Sequence, residues 1–254
     1  VGLLALQAAA LDAVDPYPLD VLGAESEGMI GYLLEQELRS ALPGREIATL
    51  LTQVEVDPDD PAFQNPTKPI GEFYSEEEAQ RLARDMGWQM KEDSGRGWRH
   101  VVPSPTPLHV CDISLVEDLA KRGSVIFAGG GGGIPVVRGP NGVRNGVEAV
   151  IDKDLTSAHM ANVLGIETLM ILTAVPNVAI NFGTPEQRLL HRVAVSELRR
   201  YQDEGHFAAG SMGSKIEATL RFLDRGGKRV IIAHLDQAAE ALAGTAGTHV
   251  VPDA

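Results

Sequence analysis

Cysteine is nearly absent from the 254-residue sequence, which contains only Cys111. An internal disulfide bond is therefore excluded, and the chain suits a reducing compartment. Cys111 itself is predicted to be a small buried residue. The seven histidines show no spacing to cysteine or to acids that would suit a zinc ion. We therefore predict no metal site formed by a cluster of protein side chains.

Positive charge and long apolar runs are also scarce. The 22 Lys and Arg residues are outnumbered by 35 Asp and Glu residues, which gives a formal net charge of −13. Such a chain is repelled by nucleic acids and by anionic lipid surfaces, so any basic site must be local. The sequence has no stretch of 18 apolar residues and no pattern of a signal peptide. It predicts a cytoplasmic protein that binds neither membranes nor nucleic acids.

Short apolar runs alternate with helical patterns along most of the chain. Buried or central strands are predicted at residues 47–56, 125–128, 167–175 and 228–234, and a terminal strand at 248–251. This alternation favours an α/β fold with a doubly wound, mainly parallel sheet, and the length suits one domain. Helices are predicted at residues 1–14, 19–42, 75–86, 113–122, 155–164, 193–202, 216–223 and 235–242.

The helix at 19–42 carries glycines that would permit close packing, namely Gly23, Gly28 and Gly31. Its acidic residues Glu25 and Glu27 are expected to be solvated. A second irregular feature, Asn141-Gly142 with Asn145-Gly146, predicts a hairpin-like insertion over residues 135–150.

Residues 57–107 interrupt the alternation, because they are dense in proline, glycine, charge and aromatic side chains. We interpret them as a protruding subdomain that serves as a lid or as a partner surface. Trp88 and Trp98 are predicted to form its small core. Lys68 lies between two prolines, which stiffen the backbone. It is either a solvated loop lysine or a cation that closes over an anionic site.

Five consecutive glycines, 129–133, follow the apolar run at 125–128. Glycine allows a very close approach of the backbone, and exposed N–H groups at the end of a strand often hold an anion. A phosphate-bearing ligand is the first hypothesis, and a flexible turn is the alternative. Further along, Asp154 is predicted to cap the helix at 155–164, which places Lys153 at its positive end.

Lys215 is predicted in the first turn of the helix at 216–223, which Ser211 or Ser214 could cap. The helix dipole disfavours a cation there, so a bound anion is one interpretation and a screened surface lysine is the other. Thr173 ends a predicted strand, where open α/β sheets bind ligands.

Six segments in order resemble the carbamate kinases, a family within the amino acid kinase superfamily. They are DPAFQNPTKPIG at 60–71, RHVVPSP at 99–105, GGGGG at 129–133, EAVIDKD at 148–154, INFG at 180–183 and GHFAAGSMGSK at 205–215. The resemblance extends over essentially the whole chain. It implies a three-layer αβα sandwich around a mainly parallel sheet, with a protruding lid subdomain at 57–107, and a homodimer. The implied reaction is ATP plus carbamate to ADP plus carbamoyl phosphate, reversible and run towards ATP in arginine metabolism, with ATP/ADP and Mg²⁺ as cofactors.

The resemblance also implies roles for individual residues. Lys153 and Lys215 would be the cations on the transferred phosphoryl group, Asp154 would hold them apart, and Lys68 would reach the carbamate from the lid. The implied nucleotide-binding residues are Thr173, Val175, Phe182, Met212 and Lys215. The implied phosphate- and carbamate-binding residues are Gly129, Gly130, Gly131, Gly132 and Lys68.

One departure from the family pattern concerns the N-terminus. The family opens with a strand, a Gly-Gly-Asn-Ala loop and a His-Gly-Asn-Gly turn, and this sequence begins after that turn. We therefore expect one domain over residues 1–254, truncated at its N-terminus. Two alternatives stay open: an amino acid kinase acting on an acylamino acid or a nucleoside monophosphate, and a non-catalytic nucleotide-binding or scaffold protein. The first should lack the segment at 65–71 and the full excursion.

Overall fold

The computed structural model describes Gly2, Leu4 and residues 17–93, 95–207 and 212–253. The chain divides into two compact units, Val1–Thr156 and Ser157–Ala254. Each unit is mixed α/β and contains two parallel strand pairs, which confirms the predicted fold class. The predicted helix at 1–14 lies almost wholly outside the described residues.

The first unit contains the following elements. Its helices are α1 Leu19–Ala41, α2 Glu76–Met86 and α3 Ile113–Lys121, and α4 Lys153–Val163 begins in it. Its strands are β1 Ile47–Thr49, β2 Gln53–Val56, β3 Lys68–Tyr74, β4 Met90–Glu92, β5 Trp98–Val102, β6 Pro107–Val110, β7 Val125–Phe127, β8 Ile134–Arg138 and β9 Arg144–Gly146. Short 3₁₀ turns occur at Pro61–Phe63 and Gly130–Gly132.

The predicted strand at 47–56 is in fact two strands in different sheets. β1 pairs with β7 in parallel, whereas β2 lies between β6 and β8 in a four-stranded sheet of order β6-β2-β8-β9. The chain changes sheets at 50–52, where the N–H of Leu50 donates to the carbonyl of Phe127 and the carbonyl of Thr52 accepts from Ile134. The predicted hairpin is confirmed as the antiparallel pair β8 and β9.

Glu55 on β2 fixes this hairpin. Arg138 of β8 and Arg144 of β9 both donate to its carboxylate, at 2.6 and 2.8 Å. Their hydrogen bonds, led by Arg138, lower the pKa of Glu55 to about 2, so the carboxylate stays charged. Cys111 lies beside it and is 4% exposed, which confirms its predicted burial. That burial raises the pKa of the thiol.

The predicted protruding segment contains a three-stranded antiparallel sheet of order β3-β5-β4, together with α2. The helix was predicted; the strands were not. Ser75 and Glu78 form a reciprocal capping box at its start. Trp88 stacks on His100 with ring centroids 4.4 Å apart and an interplanar angle of 2°. Burial lowers the pKa of His100 to about 4, so this imidazole is neutral at neutral pH.

Helix α1 packs closely against β1 through Gly31. A Cβ atom at this position would lie 2.2 Å from the side chain of Thr49, so the predicted close packing is confirmed there. It is not seen at Gly23, where a Cβ would meet nothing within 4 Å. Helix α1 also carries large exposed apolar residues, which we call the apolar face of α1. They are Met29, Ile30, Tyr32, Leu33 and Leu34, with exposed fractions of 46–63%.

The second unit is arranged around a four-stranded sheet of order β10-β14-β15-β13. Its elements are β10 Thr168–Thr173, β11 Ala179–Ile180, β12 Arg188–Leu189, β13 Arg192–Ala194, α5 Val195–Asp203, α6 Met212–Asp224, β14 Arg229–His234, a 3₁₀ turn Leu235–Gln237, α7 Ala238–Leu242 and β15 Thr248–Val251. The predicted apolar side of α6 is confirmed, since Ile216, Leu220 and Leu223 are all buried. No helix in the described part of the chain is long and apolar enough to cross a membrane.

Candidate functional site

The glycine run follows β7 and turns at once into a 3₁₀ turn. The strand before it is only half-buried. The prediction at 125–128 was therefore confirmed for the strand and wrong for its full burial. At Gly132, which has φ +114°, a Cβ atom would lie 2.1 Å from the carbonyl oxygen of Ile151. Only glycine fits there, because the backbone of the run lies directly against the backbone that leads into α4.

The start of the run is held by two side chains of the same unit. The N–H of Gly129 donates to Thr52 Oγ1 at 2.8 Å, and the N–H of Gly130 donates to Glu27 Oε1 at 2.8 Å. Glu27 is 5% exposed, so the prediction of a solvated Glu27 was wrong. Its burial is possible because each carboxylate oxygen accepts a backbone N–H, the second from Thr52 at 3.0 Å. Glu25 is exposed, as predicted.

Asp152, rather than Asp154, caps helix α4. Its Oδ1 accepts from the N–H groups of Asp154 at 2.9 Å and Leu155 at 3.3 Å, which is the geometry of an N-cap before a helix that begins at Lys153. The prediction of Asp154 as the cap was therefore wrong by two residues. The first turn is also joined to the glycine run, because Thr156 Oγ1 donates to the carbonyl of Gly132 at 2.8 Å.

Lys153 and Asp154 form an ion pair at the start of α4. The Nζ and Oδ1 atoms are 2.5 Å apart. The Asp154 side chain is 7% exposed, whereas that of Lys153 is 54% exposed. A buried acid therefore orients a lysine that remains accessible to a ligand.

Lys68, from the segment 57–107, contacts the same helix start. Its Nζ lies 2.6 Å from Asp152 Oδ2, and its side chain is only 22% exposed. Burial alone would raise the pKa of Asp152, but the charge of Lys68 and the hydrogen bonds from Lys68 and the helix N–H groups outweigh it, so the pKa lies below its ordinary value. The solvated-loop interpretation of Lys68 is therefore wrong. Lys91 supports the loop by donating to the carbonyl of Pro66 at 2.8 Å.

The first unit thus brings together Lys68, the glycine run and the start of α4. Two lysines, each oriented by a buried carboxylate, lie on segments joined to a glycine-rich backbone. Such an arrangement suits a strongly anionic group that must be held without covalent attack. Asp152 was not predicted from the sequence. Its place directly before Lys153-Asp154, in a run of alternating acidic and basic residues, is a signal that could have identified it.

The predicted nucleotide residues lie in three segments of the second unit. Thr173 ends β10, and Val175 follows it, half-buried. Phe182 is 72% exposed in the turn between β11 and β12. Met212 and Lys215 lie in the first turn of α6.

The capping of α6 was predicted at Ser211 or Ser214. Ser214 lies inside the helix, because α6 already includes Met212, so it is not the cap. Ser211 lies outside the described residues.

Among the residues that the structure describes, no group of three or more His, Cys, Asp or Glu side chains is placed to hold a metal ion. Any divalent ion at this site would therefore depend on ligand oxygens as well as on the protein.

Comparisons with known proteins agree on one group of enzymes. The sequence profile of the Amino acid kinase family matches residues 9–234. The carbamate kinase of Pyrococcus furiosus is 52% identical over 92% of this chain and 76% of its own length. The structure of carbamate kinase from Giardia lamblia bound to citric acid superimposes with a TM-score of 0.92, at 42% identity, over 99% of this chain and 81% of that one. The same enzyme bound to AMP-PNP gives a TM-score of 0.86 at 43% identity, with the same shares covered.

Proposed function

The chain belongs to the amino acid kinase family and, within it, to the carbamate kinases, and from this premise we propose how its residues transfer a phosphoryl group between ATP and carbamate. The enzyme converts ATP and carbamate to ADP and carbamoyl phosphate, reversibly. The observation that carries this function is the identity of about half of all residues with a carbamate kinase over nearly the whole chain.

We propose that Lys153 and Lys215 neutralise the negative charge on the transferred phosphoryl group. Phosphoryl transfer needs positioned cations more than covalent chemistry, because negative charge spreads over the equatorial oxygens in the transition state. The buried carboxylate of Asp154 orients Lys153 at 2.5 Å and keeps its ammonium group accessible. Lys215 lies in the first turn of α6, where a bound anion would offset the unfavourable interaction with the helix dipole.

The acceptor side of the site is assigned to Lys68 and the glycines 129–132. Lys68 comes from the segment 57–107, which we propose is a lid subdomain. Its present partner, Asp152, holds it at the start of α4. The carbamate or the phosphoryl group would then be bound by the Lys68 ammonium and by the backbone around Gly131, since the N–H groups of Gly129, Gly130 and Gly132 already donate to Thr52, Glu27 and the carbonyl of Gly129.

The nucleotide is assigned to the second unit, with Thr173, Val175, Phe182 and Met212 around it and Lys215 on its phosphates. The exposed ring of Phe182 and the half-buried Val175 supply apolar surface of the kind that nucleotide sites use.

Mg²⁺ is proposed to accompany ATP. The carboxylate oxygens at the start of α4 are the donors that this ion prefers, and Mg²⁺ commonly takes only one or two of them beside phosphates and water. Asp154 is proposed as the protein ligand, because its buried carboxylate lies in the first turn of α4 beside Lys153. When bound, the ion neutralises charge on the phosphate oxygens.

Neither alternative function is favoured. An amino acid kinase for another acceptor should lack the segment at 65–71, which is present here and carries the Lys68 contact to Asp152. A non-catalytic scaffold would not need two lysines fixed by buried acids.

Three further assignments rest on the resemblance and remain proposals. The enzyme would be cytoplasmic, which its single reduced cysteine suits. It would act in arginine metabolism, in the direction of ATP formation. It would be a homodimer, and the apolar face of α1 is a surface that a second copy could cover.

Carbamoyl phosphate-dependent formation of ATP from ADP by the full-length protein tests the function. Lys153→Ala should reduce turnover by about 100-fold or more, because removal of one charge-stabilising donor commonly has that effect. Circular dichroism and the oligomeric state should be unchanged. The matched control is Lys121→Ala on α3, whose lysine is also exposed and paired with an acid. Retention of more than about a tenth of the activity by Lys153→Ala would remove this lysine from the proposed role.

A further inference from the structure

Glu27 of α1 is a buried acid that the proposed chemistry does not use. Among the described residues, no lysine or arginine forms an ion pair with it, and its partners are two backbone N–H groups. A carboxylate buried without a cation is unfavourable unless its oxygens are hydrogen-bonded. Burial raises the pKa of Glu27, and the N–H donors offset only part of that effect. The role of this buried acid is therefore sought in the backbone groups that it binds.

The hydrogen bonds of Glu27 connect three segments that are distant in sequence. Oε1 accepts from Gly130, and Oε2 accepts from Thr52 at the junction of β1 and β2. Thr52 in turn accepts the N–H of Gly129 through its hydroxyl, and that hydroxyl donates to the carbonyl of Leu50. The first two amides of the glycine run are therefore fixed by one acid and one hydroxyl, and the acid also binds the backbone N–H of the residue that carries the hydroxyl.

The far end of the run is fixed separately. Gly132 lies against the carbonyl of Ile151, and its own carbonyl accepts from Thr156 of α4. The run is thus a glycine bridge between the Glu27–Thr52 pair and the helix start that presents Lys153. Five glycines have no side chains to restrict their backbone, so its geometry depends on these two attachments.

We propose that Glu27 is a positioning residue, which acts through Gly130 to fix the backbone of the glycine run in the geometry that binds the phosphoryl end of carbamoyl phosphate. This rests on the proposed assignment of the run to that substrate. Glu27 does not touch the substrate itself. Because Glu27 already orders the backbone of the run, binding of the anion loses less conformational entropy.

Three variants and one control test the proposal on the full-length protein. Glu27→Ala removes both acceptors. Glu27→Gln keeps the volume but retains one acceptor oxygen. Thr52→Val removes the acceptor of Gly129 while keeping the N–H that Glu27 binds. Glu25→Ala is the matched control, because Glu25 is an exposed acid on the same helix.

We expect Glu27→Ala to raise KM for carbamoyl phosphate or lower kcat by about tenfold or more, because a hydrogen bond to a charged group has been lost. KM for ADP should change by less than about twofold, since the nucleotide is assigned to the other unit. Glu27→Gln and Thr52→Val should show the same selective defect at intermediate size. Their double variant should fall short of the product of the single effects, because both act on one network. Amide hydrogen exchange of the peptide covering the run should be faster in each variant than in Glu25→Ala.

A loss of thermal stability with unchanged KM and kcat for carbamoyl phosphate would show that Glu27 is merely structural and would overturn the inference. If Glu27→Ala does not fold, the result for Glu27→Gln and Thr52→Val decides. Failure of the proposed function itself would look different, since the unmodified protein would then form no ATP from carbamoyl phosphate.

Discussion

At the scale of single residues, the two carboxylate oxygens of Asp152 bind different groups. One oxygen caps α4 and the other binds Lys68. The same acid therefore connects the segment 57–107 to the helix start beside Lys153. Movement of Lys68 from Asp152 to a bound substrate would be an exchange of one anionic partner for another.

Lys68→Ala should lower kcat and weaken the binding of carbamoyl phosphate, while the binding of ADP measured alone stays nearly unchanged. The reason is that its charge is assigned to the small acceptor. Steady-state kinetics and calorimetric titration with ADP measure the two effects. Lys68→Arg should recover little of the rate, because a guanidinium does not reproduce a compact ammonium.

Asp152→Asn is the matched variant, since its side-chain oxygen can still cap α4 while the charge opposite Lys68 is lost. It should reproduce part of the carbamoyl phosphate defect with little loss of thermal stability. An equal loss of ADP affinity in Lys68→Ala would place Lys68 in the nucleotide site instead.

At the scale of elements, the segment 57–107 has its own small sheet and a capped helix. It touches the site through Lys68 at the first residue of β3. If this segment is the proposed lid, its contacts change when both substrates bind.

Hydrogen exchange in residues 57–107 should therefore slow when ADP and carbamoyl phosphate are added together, and less with ADP alone. The exchange of β14 serves as the internal reference, because Val230–Ala233 are fully buried. Unchanged exchange throughout the segment would favour a fixed partner surface over a lid.

The elements that could be predicted are those with strong local signals. Helix α2 was predicted from a short helical pattern at 75–86, and α6 because its apolar residues repeat on one side. The strands β3 to β5 were not, because charged residues and glycines hide their alternation. The break between β1 and β2 depends on partners at 127 and 134, which no local pattern shows.

Within the candidate site, both lysines and the acid beside Lys153 were predicted from the sequence, whereas Asp152, the partner of Lys68, was not. Asp152 and Asp154 are equally suitable caps by residue type, and only the helix start decides between them. Glu27 was placed in solvent because its partners lie 25 and 103 residues away in the sequence. A buried acid satisfied by remote backbone groups has no local signature.

At the scale of the whole molecule, the apolar face of α1 is the surface that a monomer would leave exposed. Its five large apolar side chains lie on one element of a chain whose net charge is −13. Several large exposed apolar residues on one helix of such an acidic protein are typical of an interface.

Leu33→Glu should convert the proposed homodimer to a monomer, because a charge would be buried at the interface without a partner. Size-exclusion chromatography with light scattering measures the mass. Leu108→Glu is the control, since Leu108 of β6 has nearly the same exposure, 55% against 54%, away from α1. A monomeric unmodified protein, or an unchanged mass of Leu33→Glu, would contradict this interface.

The stacking of Trp88 on His100 has an optical consequence. The protein has only two tryptophans, and both lie within residues 57–107, so its indole fluorescence originates entirely from that segment. The imidazole that stacks on Trp88 has a pKa of about 4, so its charge does not change near neutral pH and does not itself alter the Trp88 emission there. The unlabelled enzyme therefore has intrinsic emission confined to the proposed lid, and stopped-flow emission can test whether this segment closes on the substrates and how fast.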